Sequence, residues 1–171
     1  ASEGVAALWS SDAGQWVGSL TVFEGGRGYW LVANNDFSFS FNSNAGTLAR
    51  NSTSVKEMLE IQQFTSRMSE DPAYRAVQSD QQAFFFVNSA TIRGEALTTE
   101  DLIIAYNGDQ VVGSRYWNGE LTDVPAMGMI GEIKDNGILL SSVEETSSNY
   151  CIPGDQVSFK VLDASSGELF D

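Results

Sequence analysis

The chain has 171 residues with 23 acidic and 9 basic side chains, which gives a formal net charge of -14, and it contains no histidine. Its length allows one domain or two small ones, and 42% hydrophobic residues are enough for a core. The acidic balance argues against nucleic acid and anionic membranes as partners, since both are recognised through basic patches. Without histidine, Ser-His-Asp and Cys-His nucleophile pairs and HExxH zinc sites are excluded.

The single cysteine and the first residues of the chain are the features that relate to the cellular compartment. Cys151 has no partner for an intrachain disulfide, and we interpret it as a small buried apolar residue. No apolar run reaches the roughly 18 residues that span a bilayer, so membrane insertion is not expected. The first residues, Ala-Ser-Glu-Gly, include neither an initiator methionine nor an apolar leader, which indicates a processed chain or a piece of a longer one.

Three strands are predicted in the first 45 residues. Residues 15–20 and 28–33 have the composition of strands and are separated by a glycine-rich break. Residues 36–42 alternate strictly, which places Phe37, Phe39 and Phe41 on one face of a half-buried strand. Together these segments predict a small antiparallel meander as an N-terminal unit over residues 1–45.

Residues 46–82 are predicted to be a linker that contains one short helix. Ser54-Val-Lys-Glu57 has the spacing of a capping box, and Val55, Met58 and Leu59 follow at helical intervals. This pattern predicts a helix over residues 54–64. From Ser66 to Gln82 the sequence is polar and irregular, which predicts a loop or a second short helix.

The remaining residues, 83–171, are predicted to form a β-sandwich-like module. Residues 83–87 are continuously apolar, which is typical of a strand covered on both faces. Strands are also predicted on either side of Asn107-Gly108, a dipeptide that favours tight hairpin turns. The other predicted strands are 137–140, 156–162 and 168–171. The chain is therefore predicted to be mainly β, an antiparallel β-sandwich-like unit preceded by a small β-meander, with one short helix.

Several stretches of the C-terminal half resemble a module that recurs in large secreted or surface proteins of marine bacteria and in structural proteins of some marine tailed phages. These stretches are residues 82–86, 100–109, 112–117, 123–128 and 153–163. The N-terminal part is similar to the close of a unit that often precedes this module. The resemblance implies a β-sheet building block at an extracellular, cell-surface or virion location, with no catalytic residue to transfer.

Aromatic side chains are the first candidates for a ligand site, since sugar rings stack on flat aromatic faces. Trp9, Tyr116 and Trp117 are the predicted contacts to a polysaccharide or cell-surface glycan. Tyr116 and Trp117 are neighbours in a strand and must face opposite sides, so one surface takes at most one of them. The alternative is that Trp16, Trp30 and Trp117 fill the core or cover a sheet, as large side chains in strands commonly do.

Oxygen-rich turns are the second candidate, because calcium is bound by carboxylate and amide oxygens. Asn107, Asp109 and Asp163 are the predicted metal ligands. No segment matches the Asp-x-Asp/Asn-x-Asp/Asn-Gly loop, and acidic residues also form turns without a metal, so calcium stays an open alternative.

Catalysis is not predicted. A glycosidase needs two carboxyl groups at a defined separation, but nothing distinguishes Glu120 with Asp123, or Glu95 with Asp101, from the other acidic residues. We therefore expect a non-catalytic extracellular binding or adhesion module that recognises carbohydrate. The alternative is a structural subunit of an extracellular assembly, such as a filament, surface layer or virion appendage, whose partners are its own copies or neighbouring modules.

Overall fold

The computed structural model describes residues 4–23, 29, 31–32, 55–130, 147 and 149–171. In these residues the chain is mainly β with antiparallel sheets and a helix, so the predicted fold class is confirmed. The strands predicted at 28–33, 36–42 and 137–140 and the Ser54 cap lie outside the described residues, apart from single positions in the first of these segments.

The described elements are a hairpin, a helix, a 3-10 turn and eight further strands in chain order. A hairpin comes first, made of β1 (Leu8–Ser10) and β2 (Gln15–Val17), and α1 (Val55–Thr65) and a 3-10 turn (Pro72–Tyr74) come next. The remaining strands are β3 (Gln82–Val87), β4 (Thr91–Ile92), β5 (Glu95–Ala96), β6 (Leu102–Asn107), β7 (Gln110–Tyr116), β8 (Thr122–Met127), β9 (Ser158–Leu162) and β10 (Leu169–Phe170).

Four antiparallel sheets are formed by these strands. The largest has the order β10-β9-β6-β7, and the other three are the pairs β3-β8, β1-β2 and β4-β5. The helix agrees with its prediction to within one residue at each end. The segment predicted as a loop or short helix is a loop with the 3-10 turn inside it, which Asp71 caps by accepting a hydrogen bond from the Ala73 amide at 2.9 Å.

The hairpin of β6 and β7 is confirmed, and its turn lies one residue later than predicted. Asn107 pairs with Gln110, so the two-residue loop is Gly108-Asp109. Gly108 has φ +58, whereas Asp109 is not among the residues with positive φ, which fits a type II′ turn. A bulge then inserts Val112 as an extra residue on β7, and this side chain is fully buried.

The core lies between the four-stranded sheet and the β3-β8 pair. Ile103 and Ala105 on β6 contribute from one side, and Val124 and Ala126 on β8 from the other. The Phe85 ring of β3 meets the Phe159 ring of β9 edge to face, with centroids 5.1 Å apart. Two sheets that share such a core make the arrangement sandwich-like.

The N-terminal segment lies on the opposite face of β3, but the strand is only partly covered: residues 84–87 are half-buried, while Gln82 and Ala83 are exposed, which corrects the prediction of a strand covered on both faces. Gly4 lies against the Phe84 ring, and Gly18 lies against the Phe86 ring. Gly18 has φ +118, and a side chain there would also collide with the Ala6 carbonyl. The segment therefore runs close to β3 at both of its ends.

Strand β8 was not predicted, because Pro125 at its centre argues against an interior strand. Proline cannot donate to a ladder, and in the described residues β8 pairs with β3 alone. On its other side β8 crosses β7, where a Cβ built on Gly113 would lie 1.8 Å from the Pro125 carbonyl oxygen. The two sheets approach this closely because position 113 carries no side chain.

A fully buried arginine lies beside this crossing. The Nε of Arg115 donates to the Asp123 carbonyl oxygen at 2.8 Å, and its Nη2 donates to the Gly4 carbonyl oxygen at 2.6 Å. The Nη1 donates to the Ser66 carbonyl oxygen. The guanidinium thus connects β7 to β8, to the N-terminal segment and to the end of α1.

The Asp123 carboxylate completes this network and is also fully buried. It lies 3.6 Å from Nη2 of Arg115 and accepts hydrogen bonds from the Ala6 amide, the Ser19 amide and the Ser19 hydroxyl. Burial raises the pKa of Asp123, while the charge of Arg115 and the hydrogen bond from Ser19 oppose that rise. The network joins residues of the first, second and third predicted units, whose boundaries stay a prediction.

Replacing Arg115 by methionine should lower the free energy of unfolding by about 3–5 kcal/mol, because it leaves a buried carboxylate without its counter-charge. Urea unfolding followed by circular dichroism measures this loss. The matched control is Arg93→Met, which removes an exposed ion pair to Glu168 and should cost less than about 1 kcal/mol. Similar losses for both variants would contradict a central role of the buried pair.

Replacing Gly113 by alanine should cost about 3 kcal/mol or more, because β7 and β8 must separate to admit the methyl group. Gly14→Ala is the control, since Gly14 has φ +64 and open space around it, and its cost should be roughly 1 kcal/mol. Thermal unfolding of the two variants measures the loss of stability in each. A Gly113→Ala protein as stable as Gly14→Ala would show that the crossing is not tightly packed.

Candidate functional site

The first hairpin places two tryptophans side by side on one face. Trp9 on β1 is the direct register partner of Trp16 on β2, and directly opposed residues of an antiparallel pair share a face. The two rings meet edge to face, with centroids 5.7 Å apart and planes inclined by 72°. Trp9 is 53% exposed and Trp16 is 68% exposed, so both indoles remain open to solvent.

The base of this hairpin is anchored in the buried network. Ser19 and Ala6 both bind the Asp123 carboxylate, and the Leu20 amide donates to the Ala6 carbonyl at 2.9 Å. Just beyond, the Thr21 and Val22 amides donate to the Gln62 side chain of α1, each at 3.0 Å. The tryptophans are therefore carried by a hairpin with a fixed base.

The tip of the hairpin is a polar turn. Residues 11–14 connect the two strands, and Gly14, with φ +64, donates its amide to the Ser10 carbonyl at 2.9 Å. The Ser10 hydroxyl accepts from the Ala13 amide at 3.1 Å. Asp12 is the one charged residue in the described segment 4–23. The tryptophan pair is thus surrounded by hydroxyl, amide and carboxylate groups.

The structure assigns Tyr116 and Trp117 to contacts within the protein. The Arg67 guanidinium lies 4.6 Å from the centroid of the Tyr116 ring and 4.6 Å from that of Phe64. One face of Tyr116 is therefore covered by Arg67. Trp117 is partly buried and packs against the core. Of the three predicted ligand-binding residues, Trp9 is the most open to a ligand.

Trp16 corrects the alternative interpretation of the aromatic residues. That interpretation expected Trp16 to fill the core or cover a sheet, yet its side chain is more exposed than that of Trp9. Both indoles are more than half exposed, so no described element covers this face of the hairpin. The pairing of Trp16 with Trp9 could be predicted only if the turn at residues 11–14 were recognised in the sequence.

The three predicted calcium ligands lie at two different ends of the large sheet. Asn107 ends β6 and Asp109 lies in the β6-β7 turn, whereas Asp163 follows β9. Because β9 is antiparallel to β6 and Leu102 pairs with Leu162, Asp163 lies about 20 Å along the sheet from Asn107. These residues cannot share one ion, so the predicted ligand set is wrong, and calcium binding itself stays a prediction.

At each end of the sheet, a carboxylate accepts hydrogen bonds within a local turn. Asp163 accepts hydrogen bonds from the Ser165 amide and the Ser166 hydroxyl, which lower its pKa. At the other end, Asp155 accepts from the Asn107 side chain at 3.0 Å and from the Ile152 amide at 2.9 Å. In the described residues no group of three or more His, Cys, Asp or Glu side chains is placed to hold a metal ion.

A shallow open cleft of about 660 Å³ adjoins the β6-β7 turn. Polar side chains of Asn107, Asp109 and Asp155 line it together with the apolar Met129 and Ile152. The lining residues that have hydrogen bonds use them to hold the local turns, as the Asn107–Asp155 pair does. We therefore place the tryptophan hairpin ahead of this cleft as the candidate site.

Two of the carboxylates considered for glycoside hydrolysis have structural partners. Asp123 belongs to the buried network. Asp101 is 5% exposed and accepts hydrogen bonds from the Thr98 amide and hydroxyl and from the Ala164 amide. Each carboxylate holds neighbouring backbone in place, and neither lies on the tryptophan hairpin.

Cys151 is partly buried and belongs to the packing around the core, in line with its interpretation as a structural residue. Its backbone bridges to Gly128, and its amide donates to the Met127 carbonyl at 3.2 Å. Burial raises the pKa of its thiol, with the charge of Asp155 adding to the rise.

Comparisons with known proteins identify no relative of this chain. No family model, no curated protein and no solved structure matches the chain. Among the described residues, no helix combines the length and the apolar character needed to cross a bilayer.

Substituting the tryptophans should separate surface residues from core residues. Trp16→Ala removes one cross-strand contact and should change the free energy of unfolding by less than about 1 kcal/mol. Trp117→Ala removes a ring that packs on the core and should cost about 3 kcal/mol. Guanidinium unfolding of both variants tests this, and a larger loss for Trp16→Ala would assign that ring a structural role.

Proposed function

We propose that the protein is a non-catalytic binding or adhesion module that acts outside the cell and recognises carbohydrate through the Trp9–Trp16 hairpin. The observation that carries the proposal is the pair of adjacent indoles, each more than half exposed, on one face of an anchored hairpin. Large apolar rings placed side by side at the surface are unusual in a chain that has a core to receive them.

The composition of the hairpin favours a sugar over a purely apolar ligand. Carbohydrate rings offer apolar C–H faces and polar hydroxyl edges, so their sites combine an aromatic surface with hydrogen-bonding groups. Such groups are present in the turn beside the rings, at Ser11 and Asp12, whereas Ser10 and Gln15 pair with each other on the opposite face of the hairpin. The base is held by backbone hydrogen bonds to Asp123, so the rings need little ordering on binding.

The expected contribution of one ring follows from its surface. Covering about 100 Å² of an exposed indole removes apolar area from water and contributes about 2.5 kcal/mol. A loss of binding free energy of that size raises the dissociation constant by well over tenfold. A single tryptophan substitution is therefore enough to reveal the site in a binding assay.

A glycan array probed with wild type and with Trp16→Ala tests the proposal. Wild type should bind at least one glycan, and Trp16→Ala should weaken that binding more than tenfold with little change in stability. Leu169→Ala is the control, since Leu169 is a 43% exposed apolar residue on β10, and it should bind as wild type does. A blank array, or equal binding by Trp16→Ala, would refute a glycan site on the hairpin.

A structural subunit of an extracellular assembly, such as a filament, surface layer or virion appendage, is the second proposal. It is supported by the same hairpin, because β1 and β2 pair only with each other in the described part of the chain and Leu8 is 49% exposed. An unpaired strand edge next to exposed apolar residues is a template for a second copy or a neighbouring module. Light scattering across a range of concentrations distinguishes the two, since a persistent monomer argues against assembly.

A further inference from the structure

Five of the six basic side chains in the described residues are paired with carboxylates. Six of the nine basic residues lie in this part of the chain, and four of them form ion pairs at the surface. These pairs are Lys56–Glu60, Arg67–Glu100, Arg93–Glu168 and Lys160–Asp171. The fifth, Arg115, is buried on Asp123. Within the described ranges, Arg75 is the one basic residue with no ion pair to a carboxylate.

Arg75 does not belong to the hairpin. It directly follows the 3-10 turn, which packs against β7. The hairpin is part of the N-terminal segment, which lies against the face of β3 that carries Phe84 and Phe86. Residues 4–23 contain no lysine or arginine. A ligand on Trp9 and Trp16 therefore meets no basic side chain from its own hairpin.

Negative charge, by contrast, is present both locally and over the whole molecule. Asp12 is in the exposed turn that joins β1 to β2, within four residues of both tryptophans. The chain as a whole has a formal charge of -14. Proteins that hold carboxylated or sulfated polymers do so with arginine and lysine, whose charge offsets that of the ligand. Here a polyanion would be repelled by the net charge and would find no lysine or arginine in the described segment 4–23.

From these observations we infer that the glycan bound by the Trp9–Trp16 hairpin has no carboxylate or sulfate groups, and is a neutral or amino-sugar polymer. This inference rests on the proposed carbohydrate function. Stacking on the indoles supplies the attraction for a neutral sugar, and Asp12 together with the overall charge adds attraction for a protonated amine. The same charges oppose a uronate or a sulfated sugar.

A glycan array that contains neutral, amino-sugar, uronate and sulfated glycans tests the inference at about 20 mM and about 200 mM salt, where screening differs severalfold. Binding should be confined to neutral and amino-sugar glycans at the lower salt concentration. Binding that is strongest to uronate or sulfated glycans would overturn the inference and leave the proposed function standing. An array with no signal in any class would refute the proposed function and this inference with it.

Charge reversal at the turn gives the second measurement. Asp12→Lys should raise the ratio of sulfated-glycan binding to neutral-glycan binding severalfold at the lower salt concentration. Glu95→Lys makes the same change in net charge on an exposed position of β5 and should have a smaller effect. If the two variants behave alike, charge near the tryptophans does not select the ligand, and the local part of the argument fails.

Discussion

The buried ion pair between Arg115 and Asp123 is the interaction on which the described structure depends. Taking both charges out of water costs several kcal/mol, and the pair alone does not return that cost. What offsets it is the full set of hydrogen bonds, since the guanidinium donates to three carbonyl oxygens and the carboxylate accepts from three donors. Those partners belong to segments far apart in the chain, so the network forms only when the whole arrangement is assembled.

Gly113 makes this arrangement possible because it lets β8 cross β7 in backbone contact. Two residues further along β7, Arg115 then reaches the β8 backbone directly. The same crossing leaves the Asp123 side chain on the face of β8 that the N-terminal segment covers, next to Phe86 across the ladder. The base of the tryptophan hairpin is thus fixed by the core, while Trp9 and Trp16 contribute nothing to that core. Packing within the described residues therefore does not explain their exposure, and this exposure is the observation on which the proposed site rests.

Local pattern predicted the elements that are made of neighbouring residues. The β6-β7 hairpin, the helix, β3 and β9 all follow from periodicity and turn chemistry, and the structure has each of them within one or two residues. Strand β8 was missed since Pro125 contradicts the local rule for interior strands, and only its one-sided pairing explains the exception. The three predicted calcium ligands are not brought together, for a related reason. The register that separates Asn107 from Asp163 arises between strands far apart in sequence. Nothing in the sequence marks Arg115 and Asp123 as buried partners, since each residue type is ordinarily exposed.

The use of the basic residues connects the fold to its candidate site. An acidic chain with nine basic residues has few to distribute, and the described structure uses one in the core and four in surface ion pairs. The surface pairs contribute little to stability individually, and each places a carboxylate beside the cation, which lowers the local positive potential that an anionic ligand would need. On the described segment 4–23 the remaining groups are aromatic surface, hydroxyl and amide groups, and a single carboxylate. A ligand bound there, as we propose, would therefore be held by stacking and hydrogen bonds, while the negative charge would oppose a polyanion.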